Sequence, residues 1–328
     1  MSDWRYRLAE QRGTLLALLM FAAMFTIYVT NHPAGLTANV VNTAANKGVL
    51  LALVAMAQTM VVVTGGIDLS VGMVFILSNC LASYTVAGSV LTTTLGVGAV
   101  LAAGLACGVA NGLVVIYGRL QPIVTTIATG AVFFGIALWL RGVPGGADDF
   151  SSGLADALTG QLPGGVPASL ILLAAVVALV WLPFRRSPLG RAAYATGSSE
   201  VAAYMSGVPI RRAKLAAYAL SGLLAAMGGL FLTFFTYSGE ASAANGNTYT
   251  LYSIAAVVLG GVSLFGGTGS AIGAIFGALA FRTIGDLLFV FDLEPLWQPL
   301  FQGCILLLAV SLGSFRLFQV RNQLDLFR

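Results

Sequence analysis

The chain has 328 residues, 58% of them hydrophobic and only 9% charged, with a mean hydropathy of +0.91. Soluble domains carry about 25% charged residues, so this composition excludes a sizeable soluble domain and describes a polytopic membrane protein. The formal charge of +4 sits beside apolar spans and therefore points to anionic lipid headgroups as partners, with no nucleic acid.

In chain order, Met1–Gly13 is polar and carries Arg5, Arg7 and Arg12. The apolar run behind it has no small-residue cleavage site, so the expectation is a retained anchor rather than a cleaved signal peptide. With about 20 residues as the crossing length, apolar runs predict an all-α fold of about ten transmembrane helices. These fall at 14–30, 45–64, 69–88, 93–117, 122–141, 167–184, 215–237, 250–264, 270–290 and 297–315, in one transmembrane domain over residues 1–328. Thirteen of the 16 Lys+Arg fall on one side if both termini are cytoplasmic: Arg5, Arg7, Arg12, Arg119, Arg185, Arg186, Arg191, Arg211, Arg212, Lys214, Arg316, Arg321 and Arg328. Asp148, Asp149, Asp156, Glu240, Asp292 and Glu294 fall on the other, the arrangement of the positive-inside rule. Lys47, Arg141 and Arg282 are the exceptions.

Residues 62–72 hold the next signal. Val62-Val63-Thr64-Gly65-Gly66-Ile67-Asp68-Leu69-Ser70-Val71-Gly72 recurs 195 residues later as Val257-Val258-Leu259-Gly260-Gly261-Val262-Ser263-Leu264-Phe265-Gly266-Gly267, with six of eleven positions identical. Internal repeats with glycine-interrupted apolar segments mark transporters whose broken helices line the substrate path. Gly65, Gly66, Gly260 and Gly261 are the expected hinges. Asp68 and Ser263, at equivalent positions, are N-cap residue types, and each is expected to cap the helix that follows. For Asp68, contact with substrate or a gate, and ion coupling, stay open, and Ser263 is likewise a candidate for the substrate path.

Glycine is abundant, at 40 residues. Gly104 and Gly108, and again Gly269, Gly273 and Gly277, recur every four residues, which lets helix backbones approach closely in lipid. Gln58, Ser70, Asn79 and Asn111 are polar residues within spans; they suit a hydroxyl-rich ligand and equally suit interhelical hydrogen bonds. Arg282 and Asp286 are four apart and expected to pair. Cys80, Cys107 and Cys304 lie in apolar runs and read as packing residues. With His32 the one histidine, beside Pro33 in a loop, there is no cluster for a metal, no cofactor motif and no catalytic residue set.

Residues 185–214 form a basic island between apolar blocks, holding six of the 16 Lys+Arg. It contains a short helix of its own. Gly197-Ser198-Ser199-Glu200 supplies an N-cap and an acid in the first turn, Gly207 a C-cap and Pro209 a stop. A small capped helix on the cytoplasmic face reads as a docking part.

The strings GGIDLSVG at 65–72, LQPIVTTIATG at 120–130, GRAAYATGSSEVAAYMSGVPIRRAK at 190–214 and AAVVLGGVSLFGGTGSAIGA at 255–274 resemble the ribose-type permeases of ATP-binding-cassette (ABC) importers, over nearly the whole chain after the first span. The resemblance implies the inner-membrane subunit of a monosaccharide importer with a vitamin-B12-importer-like (type II) fold. It implies as partners a second permease copy or paralogue, a tandem ABC ATPase subunit and a periplasmic sugar-binding protein. It assigns docking on the ATPase to the loop holding Ser199, Glu200, Ala202, Ala203, Ser206 and Gly207. The sequence departs from the family at Thr250-Leu251-Tyr252-Ser253-Ile254-Ala255, where relatives carry Glu-Leu-Asp-Ala-Ile-Ala; both carboxylates are gone. No G-x-x-x-x-G-K-[ST] run is present, so ATP hydrolysis is expected in a partner chain. The competing reading, an ion-coupled secondary transporter of a small polar solute, has few intramembrane titratable groups to draw on: Asp68, Arg282 and Asp286.

Overall fold

Apolar sequence that must satisfy its own backbone in lipid folds as helix, and helix dominates the computed structural model, which describes residues 3–147, 149–305, 307, 308 and 311. The order is α1 Asp3–Asn31, α2 Ala38–Val62, α3 Val71–Thr85, α4 Val90–Tyr117, α5 Pro122–Leu140 and α6 Ser152–Thr159, then a hairpin of β1 Gln161–Leu162 and β2 Val166–Pro167. α7 Ala168–Val176 runs through a π turn at Val177–Trp181 into α8 Leu182–Arg186. α9 Pro188–Ser198, α10 Glu200–Met205, α11 Ile210–Thr236, α12 Ala243–Leu259 and α13 Ala271–Val290 follow. A turn at Pro295–Trp297 opens a further helix at residue 298.

Among the described residues, seven helical stretches are long and apolar enough to cross a membrane: Arg12–Asn31, α2, α4, α5, Ala168–Arg186, α11 and α13. α3 and α12 are shorter, at 15 and 17 residues. The expected ends shift where caps act: α2 starts at 38 rather than 45 because the Thr37 hydroxyl accepts the Val40 N–H. The expected tenth span at 297–315 lies partly outside the described residues, as do Asp148, Arg316, Arg321 and Arg328.

α2 forms the axis. It is apolar on all sides and buried without a break from Gly48 to Val62, the pattern of an enclosed helix; α11, α13, α12, α7 and α3 pack around it. Small residues set the closest approaches. A Cβ on Gly104 would lie 2.2 Å from the Ala226 Cβ, and one on Gly222 2.1 Å from the Gly104 carbonyl oxygen, so α4 and α11 meet backbone to backbone. Gly273 and Gly277 do the same for α13 against α12, whereas Gly269 lies ahead of α13 with φ of +113°.

Three expectations fail in the packing. Asp286 pairs with Lys47 of α2 at 3.1 Å rather than with Arg282, because the interhelical partner reaches the carboxylate directly. Cys80 and Cys107 are buried, but Cys304 is exposed on the chain's surface. The island at 185–214 holds two helices, not one: Gly197 and Ser198 form the last turn of α9.

The bundle end away from α9 and α10 is tied by short contacts. Asn42 and Asn46 donate to the Thr159 carbonyl, Arg141 stacks over Tyr84 at 3.7 Å, and Gly145 bridges to Gly239. Tyr237 donates to the Asp156 carboxylate, which raises the phenol above its ordinary ionisation range.

Candidate functional site: two helix breaks and their junction

α2 ends where Gly65 adopts φ of +82°, with the Gly66 N–H donating to the Val61 carbonyl and the Gly65 N–H to the Val62 carbonyl. α12 ends in the same way: Gly261 has φ of +75°, Val262 donates to Val257 and Gly261 to Val258. Both are Schellman ends, whose left-handed residue favours glycine. The repeat is out of step by one. The left-handed position falls on the first glycine in one copy and on the second in the other, so Gly65 and Gly261, not Gly66 and Gly260, carry the special conformation. Gly260 is needed for room instead: its Cβ would stand 2.4 Å from Gly273 and Ala274 backbone atoms.

Past Gly66 the chain runs without helix to Val71 and builds a buried polar network. Asp68 Oδ1 accepts the Ser70 N–H at 2.9 Å and the Ser70 hydroxyl at 2.6 Å; Ser221 of α11 donates to Oδ2 at 3.2 Å. Asn111 of α4 donates to Ser70 Oγ at 2.7 Å. Thr126 of α5 accepts the Leu69 N–H, and Thr250 of α12 accepts the Gly72 N–H at 3.1 Å. All these side chains are buried. Ser221 lies eleven residues into α11, about 17 Å along its axis. Irregular backbone at such depth is tolerated because protein encloses it.

This corrects the expected role of Asp68. It stands two residues ahead of the N-cap position of α3, which Ser70 occupies without a side-chain cap. The oxygen on the first turn comes from Thr250, on another helix. Ser263 is likewise not the cap of α13; Ser270 is, accepting from Ile272. What Asp68 and Ser263 share is a local turn: Ser263 Oγ accepts the N–H of Phe265, two residues on, as Asp68 does from Ser70.

Of the other candidates, the structure brings Ser70 and Asn111 to Asp68 but leaves Asn79 and Gln58 apart. Asn79 is satisfied elsewhere, donating to Thr233 and the Ser238 carbonyl and accepting from Glu240 N–H. Gln58 is fully buried in α2 with neither amide atom hydrogen-bonded. Ser221 joins the network without any sequence motif to announce it, whereas Thr126 lies in the string at 120–130 and Thr250 opens the segment that departs from the family.

The two breaks touch each other. The Gly267 N–H donates to the Val63 carbonyl at 3.1 Å, and a Cβ on Gly266 would lie 2.7 Å from the Gly65 nitrogen. The end of α9 rests on both: a Cβ on Gly197 would be 2.1 Å from the Val63 oxygen and 2.5 Å from the Gly267 nitrogen. Tyr194 of α9 donates to the Gly269 carbonyl at 2.6 Å. α10 follows immediately. Its N-cap is Ser199, whose Oγ accepts the Ala202 N–H, and it ends at Gly207 with φ of +73°. Glu200 in its first turn pairs with Lys214 at 2.8 Å. Ala202, Ser206 and Gly207 are exposed, but Ala203 is buried against the body of the protein. Val201, Tyr204 and Met205 point outward instead, each more than 70% exposed. Their i, i+3, i+4 spacing was readable in the sequence as an apolar helix face.

Residues 40–310 match the family model described as "Branched-chain amino acid transport system / permease component". The chain is 36% identical over 272 residues to the ribose import permease protein RbsC of Bacillus subtilis (strain 168), covering 79% of this chain and 80% of that one. It is 30% identical over 314 residues to RbsC of Escherichia coli (strain K12), covering 94% of each. It is also 30% identical over 325 residues to the autoinducer 2 import system permease protein LsrC of Yersinia pestis (strain Pestoides F), covering 95% of this chain and 88% of that one. No solved structure matches.

Proposed function

We propose that this chain, which belongs to the family of branched-chain amino acid transport system permease components, is the pore-forming subunit of an ABC importer that carries a monosaccharide from periplasm to cytoplasm. As a permease component it is a multi-pass membrane protein and a transport subunit rather than an enzyme. The substrate class follows its relatives named for ribose and autoinducer 2 import; a pentose, hexose or deoxysugar fits.

One observation carries the reading: α10 presents Val201, Tyr204 and Met205 to solvent while α9, joined to it, rests on both helix breaks. A partner gripping α10 therefore has a mechanical path to Val63, Gly65 and Gly267. In this reading the partner is the ATPase. The seven long helices support a polytopic bundle; with α3, α12 and the tenth span expected at 297–315 they are read here as ten membrane passages of a type II fold in one domain. Alternating direction then puts α9 and α10 on the side of the N-terminus, so both termini are cytoplasmic in the inner membrane and anionic lipids meet the flanking cations. The tied outer end, at α6 and the hairpin, faces the sugar-binding protein. A second copy or a paralogue completes the pore. Asp68, Ser70 and Asn111 act as a latch that holds the first break closed, and Ser263 as its lighter counterpart.

The test is a photocrosslinker at Tyr204 or Met205 in the intact importer. It is expected to capture the ATPase subunit, and Met205→Asp is expected to cut binding-protein-dependent uptake while the chain still inserts. Normal uptake by Met205→Asp, with no cytosolic partner captured from either site, would overturn the docking role.

A further inference from the structure

Four residues of α12, Asn245, Thr248, Tyr249 and Tyr252, fall at i, i+3, i+4 and i+7 and so share one helix face. With Arg282 of α13 and Gln298 they line a cavity of about 320 Å³, floored by Leu51 of α2. This is the size of a small-molecule site. Tyr249 stacks on Phe75 at 4.5 Å and Tyr252 meets Phe281 edge-on at 4.9 Å, so both rings are held in place.

The cavity's charge is one-sided. Arg282 is its one ionised lining residue and has no carboxylate partner among the described residues. The nearest acid on its own helix, Asp286, is already neutralised by Lys47 at 3.1 Å. The first turn of α12, with no acidic residue, adds the positive end of a helix dipole beside Asn245. None of the six polar lining side chains is hydrogen-bonded to another described residue. An unneutralised arginine facing a cavity inside a membrane protein marks a functional site, and its planar fork matches a carboxylate bidentately.

We propose that this cavity binds an acidic monosaccharide, an aldonate or uronate, with Arg282 on the carboxylate and the Tyr, Asn, Thr and Gln side chains on the hydroxyls. The proposal rests on the monosaccharide-permease reading and narrows its substrate class. An amino acid fits less well, because its ammonium group would find no carboxylate among the lining residues.

The test uses the purified full chain in lipid nanodiscs. Equilibrium binding is measured with radiolabelled D-galacturonate and D-gluconate, with D-galactose, D-ribose and L-leucine as comparators. Both acids are expected to bind at least about tenfold more tightly than the neutral sugars, the scale of one charge-assisted hydrogen bond. Raising the salt should weaken the acids alone. Arg282→Gln is expected to lose that preference, and Arg282→Lys, which keeps the charge, to retain most of it. Should Arg282→Gln not fold, the Lys variant and the salt response decide. No saturable binding of either acid, neutral sugars binding as well as the acids, salt-independent acid binding, or an unchanged Arg282→Gln each overturns the proposal. Neutral sugar binding that ignores Arg282 leaves the permease reading standing. Leucine bound in preference to all four sugars sinks the monosaccharide reading itself.

Discussion

Residues 62–72 and 257–267 share six of eleven identities, yet they end in different surroundings. The first break is enclosed by α4, α5, α11 and α12 and threads a carboxylate with three donors. The second is half open, and the side chain of its polar member, Ser263, makes a single bond of 3.3 Å. Helix onset explains part of the divergence. α3 starts at 71, whereas α13 starts at 271, five residues later than the 195-residue offset would place it. The longer second loop reaches α9 and folds over the first break, while the shorter first loop is drawn between helices. A shared motif thus fixes the local turn, and tertiary contact decides whether that turn needs a charge. A buried turn with several donors needs a two-oxygen acceptor; a turn near solvent manages with a hydroxyl.

The largest expected effect comes from the place where the two breaks meet. Gly197→Val drives a side chain into the Val63 carbonyl and the Gly267 nitrogen, both backbone atoms. A destabilisation of about 3 kcal/mol is expected from such overpacking, with uptake lost. Gly135, whose Cβ would meet nothing within 4 Å, is the control. Gly130 is unsuitable for that purpose, since its Cβ would lie 3.3 Å from Ser70 and so touch the first break. Thermal unfolding in detergent, measured beside uptake, reads both. A Gly197→Val protein as stable and active as the Gly135→Val control would mean that the breaks are not mechanically joined through α9.

A smaller difference separates the paired glycines. Gly260→Ala meets Gly273 backbone at 2.4 Å, while Gly66→Ala meets the Val61 and Tyr218 side chains at 3.1 and 3.2 Å, which can shift. Expected costs are about 2 kcal/mol for the first and about 1 kcal/mol for the second. Gly65→Ala should cost about 1 kcal/mol through its left-handed backbone alone. If Gly66→Ala proved the worst of the three in thermal unfolding, the one-residue slip between the repeats would be wrong.

Much of this was legible in advance. The repeat, the close-packed glycines at 104 and 108, and the capped helix after Ser199 are signals carried by neighbours in sequence, where backbone geometry is local. The one-residue slip was not legible, because both glycines permit a left-handed turn and only the helix end selects which one adopts it. α9 was hidden by polar composition: its caps, Ser187 and Pro188, are present, but its buried face is Ala192, Ala193 and Thr196, too small to register as an apolar stripe. The network around Asp68 draws on α4, α5, α11 and α12, and a lone Ser221 in an apolar run says nothing of what it faces. The same holds for Asp286, whose partner lies 239 positions away.

The finest comparison sets Asp68 against Ser263 one atom at a time. Asp68→Asn keeps an acceptor for the Ser70 N–H and hydroxyl, and its amide can donate to Ser221 Oγ in place of the present bond. It should fold within about 0.5 kcal/mol of the parent, since the Ser70 donors keep their acceptor and the Ser221 hydroxyl can turn to the carbonyl one turn back in α11. Asp68→Ala strands the Ser70 N–H in a dry interior, at a cost of about 1.5 kcal/mol. Ser263→Ala removes one half-exposed bond and should cost about 0.5 kcal/mol or less. Thermal unfolding orders the three, and uptake in proteoliposomes separates mechanism from folding. If Asp68 is a latch, uptake follows stability, and Asp68→Asn transports nearly as well as the parent. A stable Asp68→Asn that no longer transports would show that the charge itself is used during the cycle. The first break would then be part of the substrate path, and the difference between the two copies would be chemical rather than a matter of burial.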